Sequence, residues 1–327
     1  MGLTATGVVL GFLGDALAGD PRRAHPVAAF GRTAARLEHA LWRDHRAAGA
    51  AHTALCVGGV TATAAALGST LDRLPTPARR ALRVTLAGTA TWAVLGGTSL
   101  GREARAVAGA LAEGDVERAR ERLPHLCGRD PQALDADGIA RAVVESVAEN
   151  TSDAVVGALV WGALAGVPGL AAFRAVNTLD AMVGHRSPRY RRFGWAAARL
   201  DDVAGWPGSR LTAALAVLLG PDSAGARAAW RADAGRHPSP NAGPVEAAFA
   251  GALGVRLGGT LSYGGRVEHR PVLGGAAGRA VTVADVERAV RLSRRVGLAA
   301  LVVTAAAGAA GRSAVRAHRS RRTHGSR

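Results

Sequence analysis

Six stretches of this 327-residue chain carry no charged side chain: 1–14, 47–71, 84–101, 154–173, 211–221 and 296–311. The runs at 47–71 and 84–101 approach or exceed the roughly 18–20 residues that cross a bilayer. Those at 1–14, 211–221 and 296–311 are too short by that measure and suit burial or the interface. The first is no signal peptide, because it lacks a basic start and Asp15 and Asp20 follow at once. Hydrophobic residues make up 48% of the chain but aromatics only 4%, so the apolar mass is Ala, Val, Leu and Gly, suited to closely packed helices. The expected fold is mostly α: a multi-pass integral membrane helical protein with polar, Arg-rich loops. A soluble Ala-rich bundle is the competing reading.

Strand-like alternation is scarce and no internal repeat is visible. Residues 102–153 read as helices, with a break at Gly114 and a stop at Pro124, and 222–270 as helix mixed with Gly- and Pro-rich turns. Residues 1–311 form one membrane-embedded catalytic domain in this reading. Residues 312–327 form a basic, disordered tail that stays cytoplasmic near anionic headgroups.

Formal charge is +16, and all 41 basic residues are arginine. This uniformity points to compositional bias as much as to an anionic partner, and nucleic acid is not expected: the arginines are dispersed and aromatic platforms are missing. Without lysine there is no Walker A loop and no Schiff-base chemistry. Phosphate must then be held by arginine, a helix N-terminus or a carboxylate-bound metal. Cys56 and Cys127 form no CxxC pair, which fits a reducing compartment.

The chemistry-bearing stretch is "RAVVESVAENTSDAVV" (141–156). On a helix, Arg141, Glu145, Glu149 and Asp153 share one slowly drifting face, with Asn150 beside it. A solvated face of Arg–Glu pairs would look the same, each pair worth about 0.3–0.5 kcal/mol. This stripe, however, runs directly into an apolar segment, where ionisable groups are costly and usually functional. Carboxylates with an amide oxygen suit Mg²⁺, which keeps waters and bridges to phosphate; Glu149, Asp153 and Asp180 are the candidate metal ligands.

Further on, Asn177, Asp180, Asp201 and Asp202 lie among Arg174, Arg186 and Arg199, pairing acids for a metal with arginines for phosphate. "SPNAGPVEAAF" (239–249) adds Asn241 and Glu246, and "GDPRRAHP" (19–26) adds Asp20 and His25 as binding candidates. His185 and His237 lack metal-ligand spacing, so zinc is not expected.

Four blocks together, 19–38, 145–156, 177–202 and 239–259, resemble the adenosylcobinamide-phosphate synthase family, the CobD/CbiB-type proteins of cobalamin biosynthesis. The resemblance implies a multi-pass enzyme of the cell membrane whose active site faces the cytoplasm. It implies an acid–amine ligase that joins (R)-1-amino-2-propanol, or its O-phosphate, to the propionate of adenosylcobyric acid, with ATP as co-substrate and Mg²⁺ as cofactor. Glu145, Glu149, Asp153 and Asp180 would carry catalysis. Late-pathway cobalamin enzymes are possible partners. The competing function is a membrane transporter or corrinoid-binding scaffold using the same acids to hold a cation.

A continuous helix over 154–173 would rise about 30 Å and strand Asp153 and Asn177 on opposite sides of the membrane. Pro168 argues against one rod. A broken or re-entrant hairpin is expected, turning near Pro168–Gly169, with the carboxyl groups of Asp153 and Asp180 within about 12 Å, the reach of a metal–triphosphate site.

Overall fold

The computed structural model describes the backbone of residues 3–20, 25–185, 187–263, 266–275 and 278–324, and their side chains except at 3, 261–267 and 311–327. The chain runs through α1 (Leu3–Ala18), α2 (Pro26–Leu41), α3 (Arg46–Leu71), α4 (Thr76–Val94), α5 (Gly97–Ala112) and α6 (Val116–Arg122). Next come α7 (Ala136–Thr151), a π-helical turn (Ser152–Val156) and α8 (Gly157–Val183). The order closes with α9 (Trp195–Leu219), α10 (Ser223–Asp233), α11 (Ala242–Leu253), β1 (Leu257–Tyr263), β2 (Arg266–Leu273) and α12 (Val283–His324).

Helix starts follow local chemistry. Asp135 opens α7 by accepting from Gly138 N–H at 2.8 Å, and Asp222 does the same for α10 through Gly225 N–H; a carboxylate at this position satisfies a donor the helix leaves unpaired. Among the described residues three helical segments, Arg46–Leu71, Ala136–Val183 and Val283–Ala310, are long and apolar enough to cross a membrane. On α3 and α12 large apolar side chains such as Leu55, Leu298 and Val302 face outward. Outward-facing apolar side chains on long apolar helices fit lipid.

The middle segment is not one rod. Gly166 has φ 64° and ψ −149°, a left-handed conformation that glycine adopts freely, and the chain doubles back there. The two limbs of α8 close on glycines: a methyl group at Gly157 would sit 2.3 Å from Phe173 Cζ, and one at Gly169 would sit 2.5 Å from Trp161 O. The expected hairpin is therefore present, but its turn is Gly166 and not Pro168–Gly169. Pro168 follows the reversal and opens the second limb, where its missing N–H leaves no bond unmade.

The same logic joins the hairpin to α9. A Cβ at Gly208 would lie 2.7 Å from Gly157 Cα, so the two backbones nearly touch, the close approach that small residues permit between apolar helices. Gly7 and Gly11 of α1 meet Ala87, Gly88 and Thr91 of α4 in the same way. Buried Val, Leu, Ala and Phe from α5, α7, α8, α9, α11 and α12 make one continuous core.

Residues 257–273 differ from expectation, forming an antiparallel β-hairpin with an irregularity between Leu257 and Gly259. Gly258 and Gly259 both have positive φ, and the glycines mask the alternation that marks a strand. Helix α12 continues to His324, into the segment expected to be disordered.

Gly157→Val should overpack the hairpin. Such substitutions cost about 1–3 kcal/mol, so the detergent-solubilised protein should melt several degrees lower. Gly58→Ala, on α3 with nothing within 4 Å of the added methyl, should melt with the parent. Equal melting of all three would contradict the packing described.

Candidate active site

The π turn at 152–156 interrupts α7–α8 where the carboxylate stripe ends. Such turns add a residue to one helical turn and re-aim the side chains around it. Asp153 lies within it, half-buried, and interacts electrostatically with Asp201, Glu149, Asp180 and Arg174. Asp180, from the returning limb, in turn feels Asp202 and Glu149. Asn177 donates to the Asp201 carboxylate. Arg174 interacts with both Asp20 and Asp153, and its Nε is buried without a hydrogen-bond partner. The hairpin, α9 and the end of α1 thus bring Asp20, Glu149, Asp153, Arg174, Asn177, Asp180, Asp201 and Asp202 into one cluster.

Glycine shapes the cluster as well. A Cβ at Gly184 would fall 1.9 Å from Asp180 Oδ1, so only glycine lets that carboxylate fold over the end of α8. Burial, reinforced by the negative charge of Asp180, pushes Asp201 up to about 7. The site is therefore partly protonated near neutral pH, as expected when several acids share one low-dielectric space.

The remaining candidates make other contacts. Glu145 is buried, ion-paired with Arg129, and accepts from Gly258 N–H at 2.6 Å; it ties α7 to the β-hairpin. Its partner is not Arg141, which instead donates to Thr260 O at 3.4 Å. Asn150 donates to Ser146 O and Oγ. Asn241 Nδ2 donates to the backbone oxygens of Asp201 and Asp202, while its Oδ1 accepts from Ser209 and Arg210, so it fixes the paired aspartates on α9. Room for that amide exists because position 205 is glycine: a Cβ there would lie 2.6 Å from Asn241 Nδ2.

Glu246 is buried with His237 Nε2 3.9 Å away. Burial first, then the charge of Glu149, pushes Glu246 up to about 8, and burial pushes His237 down to about 4. His25 caps α2, its Nδ1 accepting from Val27 N–H at 3.2 Å. Arg199 pairs with Asp202 at 3.1 Å on an exposed face. Arg186 lies outside the described residues.

Sequence reasoning missed Arg129, Arg270 and His237. Arg129 and Arg270 both interact with Glu149 and Glu246, and Arg270 Nη1 approaches His237 Nε2 at 3.4 Å. A basic residue in a short polar loop between helices was the only signal for Arg129. The structure thus gives the site two ends, one rich in aspartate and one rich in arginine. An open groove lined by Ala214, Val217, Leu218, Arg227, Trp230 and Arg231 contains none of these acids. Among the described residues no three His, Cys, Asp or Glu side chains already converge as a metal cage. Cys56 and Cys127 are free.

A sequence model of the CobD/Cbib protein family matches residues 8–293. The chain is 55% identical over 303 residues to a protein of Mycobacterium tuberculosis (strain ATCC 25618 / H37Rv) named "Cobalamin biosynthesis protein CobD", covering 91% of this chain and 94% of that one. It is 45% identical over 291 residues to a protein of that name from Chromobacterium violaceum, covering 86% and 89%. With a third, from Sinorhizobium fredii (strain NBRC 101917 / NGR234), the identity is 40% over 295 residues, covering 85% and 88%. No solved structure matches the chain. Two chains of that length and identity share a fold, and the match runs through every segment that builds the acidic cluster: this chain belongs to the CobD/Cbib protein family.

Proposed function

We propose that this chain acts in cobalamin biosynthesis as an acid–amine ligase. In this reading it joins (R)-1-amino-2-propanol or its O-phosphate to the propionate carboxylate of adenosylcobyric acid at the expense of ATP. The observation that carries the reading is the fold-back at Gly166, which sets Asp153 and Asp180 on one acidic cluster with Arg174 beneath apolar helix. The family relationship supplies the pathway.

The chemistry asks for such a site. A carboxylate does not condense with an amine at useful rates, so it first takes the γ-phosphoryl group of ATP, releasing ADP. The amine then attacks the acyl phosphate; the C–N bond forms, the C–O bond to phosphate breaks, and phosphate and a proton leave. Water must be kept from the acyl phosphate, and the apolar limbs of the hairpin form that wall. Arg174, held without a full set of partners, is placed to stabilise charge on a phosphoryl oxygen.

The donor set fits Mg²⁺. That ion is usually held by one or two carboxylates, with waters and substrate phosphates completing its shell, so a preformed protein cage is not required. Asp153 and Asp180, with Glu149 nearby, are the residues that would hold it, and when bound it would neutralise phosphate charge. ATP use places the site on the cytoplasmic side of the cell membrane in this reading. Contacts with late-pathway enzymes would be made from there.

Purified protein incubated with adenosylcobyric acid, aminopropanol phosphate and MgATP should yield the amide by mass spectrometry. A cation-dependent corrinoid association without product would instead favour a scaffold. Asp153→Asn should keep the parent's melting temperature and lose turnover by at least about 100-fold. Unchanged turnover and Mg²⁺ dependence would remove Asp153 from the mechanism.

Stability should also depend on pH in a defined direction. Asp201 and Glu246 have folded values of about 7 and about 8, above those of the unfolded chain, so their contribution is complete below about pH 4 and lost as pH rises through 7 to 8. His237, held at about 4, acts oppositely, losing its contribution as pH falls from about 6.5 to 4. Above pH 6.5 only the acids change, so melting temperature without Mg²⁺ should fall between pH 6.5 and 8.5. Added Mg²⁺ should restore more of it at pH 8.5 than at pH 6.5, because it binds the ionised carboxylates. A flat profile, or equal rescue at both pH values, would contradict this assignment.

A further inference from the structure

We infer that Arg129 and Arg141 form an oxyanion-binding subsite at the arginine-rich end of the site, built to take a phosphate group. Arg129 is 7% exposed. Its Nη2 is spent on Glu145, and its Nη1 is buried with no hydrogen-bond partner. A buried guanidinium nitrogen without an acceptor is costly unless something fills the place.

Arg141 lies one helical turn before Glu145 on α7 and is close enough for its charge to be repelled by Arg129. Its Nε is also buried and unpartnered, and among the described residues its side chain's one hydrogen bond is the long contact to Thr260 O. Two neighbouring guanidinium groups, each with a buried donor unmet, are the donors that a tetrahedral oxyanion takes.

The surrounding charges agree. Glu145 is engaged by Arg129 and by the Gly258 N–H, while Asp135 and Asp137, at the start of α7, offset part of the Arg141 charge without reaching its buried Nε. Glu246 faces Arg129 and Arg270, and burial favours its uncharged form at neutral pH. Arg270 adds a third guanidinium charge from β2 beside Glu149 and Glu246. Glu149 interacts with Arg129 and Arg270 on one side and with Asp153, Asp180 and Asp201 on the other. It stands between the arginines and the aspartates.

The subsite itself rests on geometry. Its assignment to a substrate phosphate, either of the nucleotide or of a phosphorylated amino alcohol, rests on the ligase reading. The two sources offer the same chemistry, a phosphate dianion or phosphoanhydride, to the same pair of forks.

The test is anion-dependent thermal stability of the full chain in neutral detergent, with inorganic phosphate and tripolyphosphate as probes. Wild type and Arg118→Gln, an exposed arginine paired with Glu113, should be stabilised alike. Arg141→Gln should bind the probe roughly tenfold more weakly, the loss expected for one charge-assisted contact. Arg141→Lys should fall between, because it keeps the charge and loses the fork, and it serves if the glutamine variant does not fold. Equal shifts in wild type and both Arg141 variants would overturn the subsite. So would an Arg141-dependent shift seen only in nanodiscs of phosphatidylglycerol and absent with soluble anions, which would make it a lipid contact.

Steady-state kinetics identify the source. A higher KM for the phosphorylated amino alcohol with the free amino alcohol unchanged assigns its phosphate. A higher KM for MgATP with both amines assigns the triphosphate. If wild type forms no amide yet loses its phosphate-dependent shift on Arg141→Gln, the subsite stands and the ligase reading falls.

Discussion

The close approach of Gly157 to Phe173 and Gly208 is the contact on which the site depends. A methyl group at Gly157 would already meet the Phe173 ring, and any side chain at Gly208 would push α9 away from the hairpin. With these backbones in contact, Asp153 of the π turn, Asp180 of the returning limb and Asp201 of α9 share one region. Separating the elements by one side-chain layer would scatter the acids. The site is thus maintained by apolar packing between helices that carry no charge at the contact.

Enclosure and charge oppose each other here. Several carboxylates near apolar helix repel one another and lose hydration, and burial is the leading influence on both Asp201 and Glu246. Such a site gains stability when a cation arrives, which is the behaviour expected of ligand binding linked to folding. The protein reduces the strain by dividing the polarity. Arg174 sits among the aspartates, while Arg129, Arg141 and Arg270 gather near Glu145, Glu149 and Glu246. A metal-bound phosphate group carries the same two signs, cation towards the acids and oxyanion towards the arginines.

What could be read from the sequence was what is local. The carboxylate stripe follows from a four-residue spacing, and the apolar runs from their length, because neither needs knowledge of distant partners. Pro168 correctly signalled that 154–173 is not one rod. It misplaced the turn by two residues because proline is comfortable at the start of a helix, whereas Gly166 alone takes the positive φ. Tertiary pairing was illegible. Glu145 belongs with Arg129, sixteen residues earlier, and not with Arg141 one turn away, since the loop bearing Arg129 folds back over α7. The β-hairpin was hidden because Gly258 and Gly259 interrupt its alternation.

The absence of lysine gives the arrangement its last constraint. Every fixed cation in the chain other than its N-terminus is a guanidinium, which stays charged at any accessible pH and offers several donors in a plane. A lysine buried beside Arg129 could shed its proton and leave the site quietly neutral. Arg141 has no such escape. Its repulsion by Arg129, offset in part by Asp135 and Asp137, is relieved in full by an added anion, just as the ionised aspartates repel one another until a cation arrives. The two ends are therefore complementary to a ligand that brings both charges together, and either charge alone leaves one end unsatisfied.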